Sequence, residues 1–275
     1  MYFVSFLFAL IFIAFVIAFP FVTKKIFKYE GCNGLATGIC CNVLCCVCAG
    51  ACFGLWAVLV YQRMDSLGYT SYTIPYTFTF SEFWDRHIPL TWRVHTYYYI
   101  CYLILDVCVF ILLFCCIKRA NNRMNANNEV FTFISGFNLT FVIVFFLALL
   151  CSMEAIGDDD EKLAFKYYDL SYDGRLFLFE FFVFSYLLQL TGCCLLIFLW
   201  LRNNNKLLLF ICLGVLFAPF IILLIGLIAK STFVTDILTP ILYLAGCAAG
   251  FFFYFKSGGS TSGGSSGGEY TAQPM

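Results

Sequence analysis

The chain contains 275 residues, of which 62% are hydrophobic and 12% are charged, and its 16 basic and 16 acidic residues give a formal net charge of zero. An ordinary soluble domain carries about 25% charged and about 45–50% apolar residues, and a neutral protein this apolar would precipitate from water. The composition excludes a disordered chain, a nucleic-acid binder with a basic surface and almost any soluble enzyme, and it indicates a polytopic membrane protein.

The hydropathy pattern predicts an all-α membrane protein with seven transmembrane helices within residues 1–256. Each predicted span supplies the roughly 20 apolar residues that a helix needs to cross about 30 Å of hydrocarbon. The predicted spans are Met1–Thr23, Leu35–Tyr61, Thr96–Ile117, Val130–Met153, Phe181–Leu201, Leu207–Ala229 and Ile237–Phe255.

The basic residues concentrate in the odd-numbered connections and after the last span, whereas acidic residues outnumber them in the even-numbered connections. Positively charged loops stay on the cytosolic side of a membrane. We therefore expect the N-terminus outside and the C-terminus in the cytosol, in a plasma or internal membrane. The basic residues on the predicted cytosolic side are Lys24, Lys25, Lys28, Lys118, Arg119, Arg123, Arg202, Lys206 and Lys256.

The second span combines small residues with cysteines. Gly34 and Gly38 are followed by Cys46, Gly50 and Gly54 at four-residue intervals. Small residues at this spacing let helix backbones approach closely in lipid, so we predict a tightly packed central helix. A metal cluster is disfavoured, because the thiols surround a helix rather than converging in a loop.

The third span contains Asp106, the only charged residue near the middle of a predicted span. An ionised carboxylate there costs at least about 2.5–3.5 kcal/mol, so its side chain should face a partner or a cavity. Two interpretations stay open. Asp106 is either a ligand counter-ion or proton or cation site in the bundle interior, or a neutral group hydrogen-bonded to a neighbouring helix.

Four cysteines at span ends allow further chemistry. Cys101 and Cys151 lie near the outer ends of spans three and four, where they could form a disulfide, although two free apolar thiols are favoured. Cys115 and Cys116 lie at the cytosolic end of span three beside Lys118, which is compatible with S-palmitoylation.

The fourth connection contains acidic residues at the spacing of a calcium-binding loop. A twelve-residue EF-hand loop needs oxygen ligands at positions 1, 3 and 5, glycine at 6, a carbonyl at 7 and a bidentate carboxylate at 12. Residues 161–184 resemble this motif, with aromatic residues on both flanks, and the resemblance implies a Ca²⁺ site outside the cytosol. The implied ligands are Asp169, Ser171, Asp173, Arg175 through its carbonyl, and Glu180, with Gly174 at the turn.

The sequence departs from the EF-hand pattern at two positions. Phe177 occupies position 9, where a polar residue commonly holds a water ligand, and Tyr172 is bulky for position 4. A partner strand is also needed, and the alternating aromatic and Thr residues of 69–80 are a candidate. The alternative interpretation is a solvated acidic loop that leads into span five.

The remaining spans carry isolated polar residues and prolines. We expect Asn138 and Gln189 to form hydrogen bonds between helices. Pro219 should kink span six, and Pro240 lies in the first turn of span seven, where its missing N–H matters less. Residues 257–275 form a flexible Gly/Ser-rich tail.

These features leave three functional hypotheses, none of them enzymatic. The protein is a receptor or sensor whose outer loop binds calcium and whose cytosolic face couples to other proteins; or it is a transporter or channel that uses Asp106; or it is a structural subunit of a membrane complex. The expected partners are the lipid bilayer, cytosolic coupling proteins or other membrane subunits, and no nucleic acid.

Overall fold

The structure is a computed structural model that describes residues 3–29, 32, 34–65, 80–124, 126–142, 172–229 and 238–257. Within these ranges the chain is helical and contains no strand. The tail beyond residue 257 and most of the acidic fourth connection lie outside the described residues.

A helix coincides with each predicted span. A 3-10 turn, Asn127–Glu129, precedes the fourth helix. The helices are α1 (Phe3–Phe27), α2 (Leu35–Asp65), α3 (Phe80–Asn121), α4 (described over residues 130–142), α5 (Tyr172–Asn203), α6 (Lys206–Ala229) and α7 (Thr239–Lys256).

Four of these helices contain a stretch long and apolar enough to cross a membrane. Lys206–Ile222 is a shorter apolar helix by the same measure. The all-helical prediction is therefore confirmed for the described residues, and the apolar helices are compatible with a membrane protein. The four stretches are Phe6–Phe27, Leu35–Cys52, Glu180–Asn203 and Thr239–Lys256.

Helix α5 forms the centre of the described bundle. It contacts α1, α3, α6 and α7, and 72% of its apolar stretch is buried, against 28% in that of α2. A helix that is apolar on all sides is expected to be buried on all sides. Among the described residues, the prediction that the second span is the central helix is therefore wrong, because small residues permit close packing without requiring it.

Glycines allow two pairs of helices to touch along their backbones. A Cβ atom built on Gly192 of α5 would lie 2.8 Å from the Cα atom of Cys247 on α7, which is closer than real Cβ contacts. Gly38 of α2 meets the backbone of α4 at Phe133 in the same way. Gly50 has no described neighbour within 4 Å, so only the first half of the predicted α2 stripe makes a close contact here.

The contacts between helix ends show that successive helices run in opposite directions. Phe27 at the end of α1 stacks on Phe131 at the start of α4 with ring centroids 4.0 Å apart, and it meets Tyr254 at the end of α7. Arg202 at the end of α5 donates hydrogen bonds to Asn121 Oδ1 at the end of α3 and to the Met124 carbonyl. These ends therefore lie together at one end of the bundle.

This end, here called the basic end, carries all nine basic residues that the sequence assigned to the cytosolic side. Most of them lie in the last turn of an odd-numbered helix or just beyond it, and Lys206 begins α6. The charge sorting seen in the sequence thus corresponds to one physical face. The nine residues are Lys24, Lys25, Lys28, Lys118, Arg119, Arg123, Arg202, Lys206 and Lys256.

Candidate functional site

Asp106 lies inside the bundle, as one interpretation of the sequence requires. Its side chain is 1% exposed. It shares a face of α3 with buried Val109 and Leu113, whereas Ile104 and Val107 on other faces are exposed. The helical period therefore directs Asp106 toward α5 and not toward lipid.

Two α5 side chains interact electrostatically with Asp106: Tyr186 and Cys193, which lie on one face of the helix seven residues apart. The Tyr186 ring is partly buried with its hydroxyl inside the bundle, and it packs edge-on against Tyr243 of α7, with ring centroids 5.4 Å apart. The carboxyl group and the phenol therefore lie within electrostatic range of each other in the interior.

The oxygen atoms of these two side chains lack described hydrogen-bond partners. Neither the two carboxylate oxygens of Asp106 nor the hydroxyl of Tyr186 forms a hydrogen bond with any described residue. The nine basic side chains that the structure describes lie at the basic end and not beside Asp106. A buried carboxylate with neither hydrogen bond nor counter-charge costs several kcal/mol, so Asp106 is either protonated or neutralised by a bound cation. No described residue makes the hydrogen bond that a neutral Asp bonded to a neighbouring helix requires, and both interpretations of Asp106 stay predictions.

Gln189 lies close to one turn beyond Tyr186 on the same side of α5. Its Nε2 atom donates to the Val215 carbonyl of α6 at 2.6 Å. Pro219 has no N–H, so the Val215 carbonyl four residues earlier loses its helical donor, and Gln189 replaces that donor from outside the helix. The Gln189 Oε1 atom has no hydrogen-bond partner among the described residues.

Asn138 also links helices as the sequence predicts. Thr191 Oγ1 of α5 donates to Asn138 Oδ1 of α4 at 3.4 Å. Sequence reasoning missed a second link of this kind: Asn42 Nδ2 of α2 donates to the Phe137 carbonyl of α4 at 2.5 Å. The sequence signal for this link was the position of Asn42, a polar residue among cysteines in an apolar span.

Tyr186 was also missed, because a tyrosine in an aromatic-rich span is normally read as core. The signal that could have found it is the spacing of Tyr186 and Gln189, three residues apart on one side of an otherwise apolar helix. Gln189 is buried, as is the hydroxyl of Tyr186. Polar side chains clustered in this way belong to the interior of a bundle.

The predicted calcium ligands are only partly described. Asp169 and Ser171 lie outside the described residues, and Asp173 and Arg175 lie on the first turn of α5. Helical backbone therefore covers predicted loop positions 4 to 12, including Gly174, where an EF-hand loop needs a sharp turn. Glu180 is fully buried in the bundle. Calcium binding would require the start of α5 to unwind and Glu180 to turn outward, and it stays a prediction.

The described cysteines are free thiols. Cys101 is buried, and its predicted partner Cys151 lies outside the described residues. Cys115 is exposed beside the basic end, which leaves the palmitoylation prediction open. No group of three or more His, Cys, Asp or Glu side chains in the described ranges is arranged to hold a metal ion.

Comparison with family models, with curated proteins and with solved structures found no match. The site is therefore interpreted from its own geometry: a buried carboxyl group, a phenol and an amide oxygen, with no described hydrogen bonds to their free oxygen atoms, lie along the central helix.

Proposed function

We propose that the protein is a seven-span membrane transporter or channel that binds a proton or a small cation at Asp106. The observation that carries the proposal is the buried carboxyl group of Asp106, which has no hydrogen bond and no basic side chain beside it among the described residues. Intramembrane acids of this kind mark ion and proton pathways. The proposed topology has the basic end in the cytosol, and it is supported by the alternating helix contacts.

The kind of ligand follows from the absence of described hydrogen bonds to the Asp106 carboxylate. A carboxylate in the low-dielectric interior gains most from a proton or a cation where, as in the described part of the chain, no protein group forms a hydrogen bond with it. Hard cations prefer oxygen ligands. The Asp106 carboxylate, the Tyr186 hydroxyl and the Gln189 Oε1 atom are oxygen atoms with unused bonding capacity. Asp106 supplies the charge, and the two α5 groups supply neutral dipoles.

Pro219 leaves one carbonyl of the continuous helix α6 without its helical donor, which gives the site a way to change. The Val215 carbonyl is held by a side chain of α5 instead of by its own helix. Interrupted helices often border transport sites, where free backbone groups line a cavity. Movement of α6 relative to α5 would therefore release Gln189 and change the oxygen atoms available to the ion.

Flux into liposomes tests this function. Purified protein is reconstituted, and proton, Na⁺ and K⁺ fluxes are measured with fluorescent reporters. We expect flux of one of these ions, its loss in Asp106→Asn, and partial retention in Asp106→Glu. Tyr186→Phe, which removes only the hydroxyl, should lower the flux. Equal flux in wild type and Asp106→Asn would exclude the proposal.

The second candidate is a calcium sensor, and one contact favours it. Phe184, four residues after Glu180, packs edge-on against Phe12 and Phe15 of α1, each with ring centroids 5.3 Å apart. A change at the start of α5 would therefore reach α1 directly. Calcium binding by the purified protein, wild type against Glu180→Gln, distinguishes this candidate, which requires binding that the variant loses.

A further inference from the structure

An apolar groove of about 310 Å³ lies between α1 and α7 near the basic end. Five phenylalanines form most of its walls, three from α1 and two from α7. Its volume is at the lower limit of ordinary ligand pockets, which are about 300–1,000 Å³. The groove therefore suits a slender apolar chain. The five residues are Phe15, Phe19, Phe27, Phe251 and Phe255.

The walls offer no free hydrogen-bonding side chain to an occupant. Thr23 is the one polar residue in the lining. Its hydroxyl donates to the Phe19 carbonyl at 2.7 Å and lies 3.1 Å from the hydroxyl of Tyr29, which folds back onto α1. With Thr23 engaged in this way, the interior of the groove recognises hydrocarbon only.

Charge is concentrated where the groove meets the basic end. Lys25 follows the lining residue Ala18 by seven positions, about two helical turns, and so lies on the same face of α1. Lys256 follows the lining residue Phe255 at the end of α7, on the neighbouring face of that helix, with its Nζ atom 5.9 Å from the centroid of the Phe252 ring, and its long side chain reaches the groove mouth by turning from that ring. Both lysines are exposed. A ligand with an apolar chain and an anionic head would match this arrangement.

We infer that the groove binds an anionic phospholipid, with one acyl chain between α1 and α7 and its phosphate beside Lys25 and Lys256. Long lysine side chains near helix ends reach the membrane interface. The leaflet that faces a positively charged loop region is also the one rich in anionic lipid. The inference rests on the topology proposed above but not on the role of Asp106.

Photo-crosslinking tests the site directly. The full-length protein is placed in nanodiscs that contain a trace of phosphatidylglycerol or phosphatidylcholine with a photoreactive acyl chain, and labelled peptides are mapped. We expect phosphatidylglycerol to label the α1 and α7 groove residues more strongly. Each lysine near an anionic surface strengthens association about fivefold, so Lys25→Gln with Lys256→Gln should lower that preference by up to about 25-fold.

A matched control removes the same charge elsewhere on the basic end. Lys118→Gln with Lys206→Gln should keep the preference, because α3 and α6 do not line the groove. Ala18→Trp, at an exposed lining position, should reduce labelling by both lipids. Equal labelling by the two lipids, or an equal loss in the control pair, would overturn the inference. Flux through Asp106 should persist in the lysine variants, so failure of the lipid site is distinguishable from failure of the proposed function.

Discussion

The basic end and the core of the bundle treat polar side chains differently. At the basic end, Arg202 donates to Asn121 Oδ1 and to the Met124 carbonyl, both at 2.6 Å, and Thr132 both donates and accepts. In the core, the carboxyl of Asp106 and the hydroxyl of Tyr186 have no described hydrogen bond. Buried polar groups are normally hydrogen-bonded, so a buried carboxyl group with no described partner on either oxygen needs an explanation, whereas at the basic end Asn128 leaves one oxygen unbonded while its Nδ2 atom donates to the Phe27 carbonyl.

The two regions therefore differ in role. Residues at the basic end stabilise the bundle, whereas Asp106 and Tyr186 in the core have oxygen atoms that can bind a ligand. At the basic end, the hydrogen bonds of Arg202 join helix ends, and their loss should appear as lost stability. In the core, Asp106 makes no described hydrogen bond, and its loss should appear as lost ion binding. The variants below test this division.

The largest expected effect is at the backbone contact between α5 and α7. Gly192→Leu forces a side chain into the backbone of α7 at Cys247, and overpacking of this kind should cost about 3 kcal/mol in the free energy of unfolding. Unfolding by SDS in mixed micelles measures the cost. The matched control is Gly214→Leu, because no described atom lies within 4 Å of a Cβ there. Equal costs in the two variants would contradict the central position of α5.

A smaller loss is expected at the basic end. Arg202→Gln removes two hydrogen bonds from a charged donor, which should lower the free energy of unfolding by about 2 kcal/mol. Lys206→Gln, at an exposed position with the same charge, should change it by less than about 0.5 kcal/mol. Ion flux should survive in the folded fraction of Arg202→Gln. If flux disappeared there, the basic end would belong to the ion site.

The smallest effect is expected at the hydrogen bond between Gln189 of α5 and the Val215 carbonyl of α6. Gln189→Leu removes the donor to the Val215 carbonyl and should cost about 0.6 kcal/mol, the typical value for a hydrogen bond between membrane helices. In a Pro219→Ala background the restored backbone N–H satisfies the same carbonyl, so the cost of Gln189→Leu should vanish. A double-mutant cycle measures this coupling. An unchanged cost in the second background would show that Gln189 does not replace the missing donor.

The sequence predicted the helices and the charged face well, because both are local. Hydropathy located a helix at each predicted span, and the nine residues that define the basic end lie together at one end of the bundle. Asp106 was also found, since an acid in an apolar span is conspicuous. These features depend on composition along the chain and not on which helices touch.

Pairings between helices could not be predicted. Tyr186 lies within electrostatic range of Asp106 only because α3 packs on α5. The cysteines of α2 suggested that this helix is central, whereas α5 is central in the described packing. The EF-hand resemblance depends on spacing alone. Spacing does not reveal that helical backbone begins at Tyr172 or that Glu180 is buried.

Infrared difference spectroscopy of the reconstituted protein tests the central claim most directly. If Asp106 holds an exchangeable proton or cation, wild type should show a carboxyl band that responds to the pH or the cation of the medium, and Asp106→Asn should lack it. Asp173→Asn, which removes an acid from the predicted outer loop, should retain it. Identical spectra from wild type and Asp106→Asn under all these conditions would contradict the account.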